Sequence, residues 1–175
     1  MKKPRLATLW LDGCSGCHMS VLDLDGMLFS VAQRAELVYG PLVDVQEYPH
    51  DVDVAIVEGA ISSQDDFEKI RKVRARTRIV VALGDCAITS NVSGMRNRIP
   101  VKTLLESVFI ERADVNKGIP LDIPVLRKQA VPLHDVIKID LHVPGCPPPA
   151  PAILFVINEL LDGRIPDLKS KLRFG

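Results

Sequence analysis

The run Arg78 to Leu83 constrains this chain most. It reads Arg-Ile-Val-Val-Ala-Leu, near-continuously apolar and rich in β-branched residues. Such a strand has no polar side to show water, so it belongs in a parallel sheet covered on both faces. A second buried run, Val52 to Val57, precedes it. A sheet of this kind needs helices between its strands, and the pattern supplies them. Leu6 to Leu11 reads as a first strand. From about Met19 to Leu37 the apolar residues Leu22, Met27, Leu28, Val31 and Leu37 recur with helical period, and Gly40-Pro41 stops the helix. Leu42 to Val45 reads as a second strand.

Ser62 or Ser63 caps the next helix, which turns Phe67, Ile70 and Val73 inward. Val101 to Val108 is a short helix and Val136 to Leu141 a fifth strand. Ala150 to Leu161 forms a last helix behind three prolines, ended by Gly163. Strands alternating with helices define an α/β fold: a flavodoxin-like, doubly wound parallel sheet with helices on both faces. Trp10 is expected in the core. The stretch Glu111 to Leu133, with Gly118, Pro120, Pro124 and Pro132, reads as a long surface excursion suited to contact.

The chain has 175 residues, which suits a single domain over 1–175. Lys+Arg and Asp+Glu balance at 22 each, so charge supports neither a nucleic-acid partner nor an anionic membrane. The N-terminus lacks the apolar stretch and cleavage site of a secretory signal, and no apolar run approaches the ~20 residues of a membrane span. A cytoplasmic location is expected. There, four cysteines point to metal binding or redox chemistry rather than to disulfides.

Those cysteines are Cys14, Cys17, Cys86 and Cys146. Each falls just beyond an expected strand: after Leu11, after Leu83 and after Leu141. In a parallel sheet those ends share one edge, where such folds bind ligands. Three remote segments therefore deliver four thiols to one place, the ligand set of a 4Fe-4S cluster. A glycine lies within two positions of every cysteine (Gly13, Gly16, Gly84, Gly145) and admits close approach of a bulky inorganic group. Pro147 to Pro149 stiffen the last loop and remove N–H groups that would need partners.

Other readings use the same residues. Cys14-Ser-Gly-Cys17-His18 also fits a c-type haem attachment site or a thiol–disulfide oxidoreductase, but both leave Cys86 and Cys146 unexplained. A zinc-stabilised scaffold accounts for four ligands, although such sites usually pair their cysteines. Glu58, in Val57-Glu-Gly59, should lie on the cysteine edge, either bonded to loop N–H groups or acting as a proton relay. His18 is expected to be a loop neighbour of the site, and His50, His134 and His142 to face solvent or be structurally satisfied. Asp12 and Asp85 shape loops. The basic run Lys69, Arg71, Lys72, Arg74, Arg76, Arg78 reads as a solvated face.

Cys14-x-x-Cys17, Val57-Glu-Gly59, Gly84-x-Cys86-Ala87 and Pro144-Gly-Cys146-Pro-Pro148, in that order, resemble the small-subunit family of nickel–iron hydrogenases. The segment Gly84 to Asn97 is closest to its cytoplasmic NAD-reducing, bidirectional subgroup. The resemblance implies that the four cysteines hold one 4Fe-4S cluster beside a nickel–iron centre on a large subunit. Glu58 would match the family's acidic residue near that interface. It also implies diaphorase-type flavin/iron-sulfur subunits as partners that carry NAD chemistry. The C-terminal region holding two further clusters in respiratory enzymes has no counterpart here, so medial and distal clusters are not expected. The related quinone-reductase subunit carries adjacent cysteines instead of C-x-x-C. A flavodoxin-like fold can also hold FMN, but no motif demands it.

Overall fold

A computed structural model describes residues 2–168; the single domain expected over 1–175 thus reaches Met1 and 169–175, which lie outside the described residues. Seven strands and seven α-helices are described: β1 (Arg5–Trp10), α1 (Gly16–Leu22), α2 (Met27–Arg34), β2 (Glu36–Tyr39), β3 (Val52–Glu58), β4 (Ile61–Ser63), α3 (Gln64–Ala75), β5 (Thr77–Leu83), α4 (Asp85–Thr89), α5 (Asn91–Gly94), α6 (Val101–Glu106), β6 (Leu126–Val131), β7 (Leu141–Val143) and α7 (Ala150–Leu161). The main sheet has five parallel strands in the order β2-β1-β3-β5-β7. That is the flavodoxin-like winding, with its topological switch between β1 and β3.

The expectation for β3 and β5 holds because both are covered twice. On one face Ala7, Leu9, Ala55, Val57, Val80 and Ala82 pack with Ile70 and Val73 of α3. On the other, Leu6, Val54, Ile56, Val81 and Leu83 pack with Val31 of α2 and Ile153, Val156 and Ile157 of α7. Of the two candidate caps, Ser63 starts α3: its hydroxyl accepts from Asp66 N–H at 3.1 Å, and the Asp66 carboxylate accepts from Ser63 N–H at 2.9 Å.

Several expectations are corrected. The helix expected from Met19 to Leu37 is two helices, broken at Asp23–Gly26, where Asp25 takes a left-handed φ of 47°. Asp and Gly favour turns over helix, and the apolar period continues across the break, hiding it. Leu37 belongs to β2, so Gly40-Pro41 ends a strand, and Leu42 to Val45 is a loop. In Val136 to Leu141 only Leu141 enters the ladder. Asp140 instead bonds strand β5 itself, its carboxylate accepting from Val80 N–H at 2.9 Å and its N–H donating to Val80 O at 2.9 Å. The helix expected over Val101 to Val108 ends at Glu106 and continues as a π-turn, Ser107–Glu111. Within the Glu111–Leu133 excursion, Leu126–Val131 forms β6, antiparallel to β4. Trp10 is not core: it is 42% exposed and stacks on His18.

The basic run also departs from a purely solvated face. Arg74 donates to the carbonyls of Thr77, Arg78 and Lys138 and to Asp140, and Arg76 donates to Tyr48 O. These guanidinium forks bind carbonyls at the start of β5 and in the loops beside it.

Candidate metal centre at the carboxyl edge of the sheet

Strands β1, β3, β5 and β7 are consecutive in the sheet, and their carboxyl ends carry, in order, Cys14 and Cys17, Glu58, Cys86, and Cys146. Cys14 and Cys146 are exposed, Cys17 is half-buried and Cys86 is buried.

The three cysteine segments are tied to one another. Beyond β1, Asp12 and Ala60 form a bridge, and Gly59 (φ 89°) lies so close to Leu11 that a Cβ there would meet its carbonyl carbon at 2.7 Å. Gly84, at φ 82°, is packed against Cys17: a Cβ would fall 2.2 Å from the Cys17 Sγ. Only glycine fits that contact between sequence-remote loops. The Cys86 loop is joined to the Cys146 loop by Gly84 N–H to Val143 O at 2.8 Å, Asp85 N–H to Gly145 O at 2.9 Å, and Gly145 N–H to the Asp85 carboxylate at 2.8 Å. The Ser20 hydroxyl of α1 donates to Pro148 O at 2.6 Å, tying the Cys17 helix to the segment after Cys146. The Cys146–Pro147 peptide is cis. Asp85 is thus the loop-shaping residue its position suggested.

The thiols share an electrostatic environment. Burial, then the Glu58 charge and the other three cysteines, push the Cys17 thiol up to about 12. Burial also raises Cys86, although the Val92 backbone N–H donates to it and opposes the shift; Cys14 and Cys146 act on it as well. Four sulfurs crowded this way resist ionising together unless cationic iron or another metal shares the site. The donor set and the glycine-lined cradle fit an iron–sulfur cluster. Among the described residues, no group of three or more His, Cys, Asp or Glu could hold a single metal ion. A cubane binds each thiolate at a separate iron, so its four sulfurs converge on the cluster without sharing one ion.

Glu58 is buried, 2% exposed, at the end of β3. One of its oxygens accepts from the His18 backbone N–H at 2.6 Å and lies 2.7 Å from His18 Nδ1. His18 is therefore not a loop residue but part of α1, clamped between Glu58 and the Trp10 ring, whose centroid is 5.5 Å away. His18 Nε2 is buried without a partner among the described residues. The pairing was not legible because 40 residues separate its members. Beside this group an apolar cavity of about 460 Å³ lies under α1 and α2, bordered by Trp10, Met19, Leu22, Leu37 and Leu42. His134 and His142 pair edge-on at 5.9 Å, both exposed, as expected. Asn91, whose amide reaches Cys146, went unnoticed in the sequence; a polar Ser-Asn pair just past the Cys86 helix is its only signal.

The fold is that of a nickel–iron hydrogenase small subunit. Over 99% of this chain and all of that one, it matches a subunit in the crystal structure of an NAD+-reducing [NiFe]-hydrogenase in the H2-reduced state, at TM-score 0.94 and 35% identity. The [NiFeSe]-hydrogenase of Dm. baculatum, at 17% identity and TM-score 0.61, shares the fold alone. The chain belongs to the family described as NADH ubiquinone oxidoreductase, 20 Kd subunit, whose model matches residues 14–160. It is 34% identical to the NAD-reducing hydrogenase HoxS subunit delta of Cupriavidus necator, across 97% of this chain and 84% of that subunit. It is 39% identical to a subunit of the F420-non-reducing hydrogenase vhu of Methanocaldococcus jannaschii, across 96% of this chain but only 59% of that protein's length.

Proposed function

We propose that this chain is the electron-transferring small subunit of a cytoplasmic NAD-reducing nickel–iron hydrogenase, with one 4Fe-4S cluster on Cys14, Cys17, Cys86 and Cys146. The observation that carries the reading is the convergence of these sulfurs from three strand ends, with Gly84 packed on Cys17 and Asp85 bonded to Gly145. When bound, such a cluster supplies a one-electron relay between the partner's nickel–iron site and a flavin/NAD module. The chain's own residues hold and shield it. Cys17 and Cys86 anchor the inner side against the sheet. Cys14 and Cys146 form the exposed side, which a large subunit would cover. Exposed Trp10, Met19, Val92 and Met95 enlarge the apolar area available for that contact. Glu58, by the same resemblance, matches the family's acidic residue near the interface, and its carboxylate is bonded to His18. Among the described residues no helix is long and apolar enough to cross a membrane. No motif of this chain calls for FMN, so the proposal includes none.

The test is anaerobic isolation of the complex that co-purifies with this chain, with iron, sulfide, nickel and zinc counted and the reduced form examined by electron paramagnetic resonance. Relative to wild type, Cys146→Ser should lower the complex by about four irons and four sulfides per copy of this chain. One zinc per copy of this chain, with iron and sulfide unchanged by Cys146→Ser, would replace the reading with a scaffold. Retained activity in both Cys86→Ser and Cys146→Ser would replace it with a dithiol oxidoreductase.

A further inference from the structure

Between α4 and α5 the chain turns sharply at Ser90, whose φ of 63° is left-handed and uncommon for a residue with a side chain. The kink is fixed on both sides. Ser90 N–H donates to Cys86 O at 3.1 Å, closing α4, and Ser90 O accepts from Gly94 N–H at 2.7 Å, opening α5. Ser90 is only 4% exposed, and its hydroxyl has no partner among the described residues. The turn therefore presents the next two residues in a set direction, and both meet sulfur. Asn91 Nδ2 donates to Cys146 Sγ at 3.5 Å, and the Val92 backbone N–H donates to Cys86 Sγ. A segment rooted on one cysteine thus delivers hydrogen bonds to two, across 55 residues of sequence in the case of Asn91 and Cys146.

On the reading that these thiolates hold a cluster, we propose that Asn91 is a potential-setting residue: its amide, acting through the Cys146 sulfur, raises the cluster's reduction potential. Reduction adds negative charge that spreads onto the ligating sulfurs. A hydrogen bond to sulfur stabilises that more negative state more than the oxidised one. Asn91 does this without carrying charge, so it leaves the net charge of an already crowded edge unchanged. Its position suits adjustment. It is exposed and borders an open groove of about 620 Å³ shared with Asn97, Arg98 and Gln129, so exchanging it leaves both faces of the core intact.

The experiment is a redox titration, followed by electron paramagnetic resonance, of the intact complex carrying Asn91→Leu or Asn91→Asp. Both variants should keep wild-type iron and sulfide. In Asn91→Leu the ratio of oxidised to reduced cluster at a fixed ambient potential should rise about tenfold, a fall of 59 mV for a one-electron couple. Asn91→Asp, which sets a carboxylate against the sulfur, should move it further the same way. Titrations of both variants within twofold of wild type, with full iron content, overturn the proposal. So does loss of iron in both, which would make Asn91 a loop-holding residue. Iron and sulfide of the complex that stay unchanged in Cys146→Ser overturn the cluster assignment together with it, a separate and recognisable result.

Discussion

Asp85 and Gly145 hold each other at both ends: the Asp85 N–H donates to Gly145 O, and the Asp85 carboxylate accepts from Gly145 N–H. The pair joins the segment carrying Cys86 to the segment carrying Cys146. Asp85→Ala keeps the backbone bond and loses the charged acceptor. A hydrogen bond to a charged group contributes roughly 1.5–3 kcal/mol. Urea unfolding of the metal-free chain should show a loss at the low end of that range, and reconstituted protein should bind less iron per chain.

Gly84→Ala should be far more damaging. A Cβ at that position would overlap the Cys17 sulfur, on a backbone whose φ is also left-handed. One of the two loops must move, and the cradle with it. Reconstitution under anaerobic conditions should yield less than a tenth of the wild-type iron and sulfide. Near-wild-type loading would show that the Cys17–Gly84 contact does not define the site.

Glu58→Gln and Glu58→Ala separate the carboxylate's hydrogen bonding from the proposed proton relay. Glutamine keeps an acceptor oxygen for the His18 N–H; alanine leaves that buried donor without one, at a cost of about 1–3 kcal/mol. Alanine should therefore lower stability in thermal or chemical unfolding, and glutamine should lower it much less. If Glu58 also relays protons, Glu58→Gln in the full complex should slow hydrogen oxidation at least tenfold with the cluster still present. An unchanged rate leaves it a purely structural carboxylate.

Asp140 gives a pH dependence of defined sign. Burial pushes its carboxyl up, but the Val80 N–H and the Arg74 guanidinium outweigh burial and hold it below the ordinary value. The folded protein then binds this proton more weakly than the unfolded chain. Its stabilising effect is complete above the unfolded value of about 3.9 and disappears as pH falls through the lower folded value. Asp140→Asn should therefore flatten the acid limb of a plot of unfolding free energy against pH. A limb as steep as wild type would refute the assignment.

The parts of this fold that were legible in the sequence are those where one physical demand acts alone. Strands β3 and β5 are apolar over Val54–Val57 and Ile79–Leu83 because both faces are covered there, and α7 is bracketed by Pro149 and Gly163. Ser63 announces α3 through its reciprocal partner Asp66. The parts that were not legible are those where a tertiary contact replaces a local signal. Asp140 substitutes a side chain for a strand partner, so the β-rich residues before it pack as a loop. Leu37 keeps helical spacing with its predecessors yet pairs with β1. The cysteines could be placed because strand ends in a parallel sheet face one way. The His18–Glu58 clamp and the Asn91 contact could not, because each depends on how a short helix packs against a segment remote in sequence.

The last thiol of the set rides on an edge strand. β7 lies at the rim of the sheet, pairs with β5 at only three positions, and is the last of the described strands to leave the ribosome. A chain that stops before it has three of the four cysteines. On the proposed cluster assignment, loading would wait for synthesis to run past this strand, and the seated group would join the rim to the sheet interior.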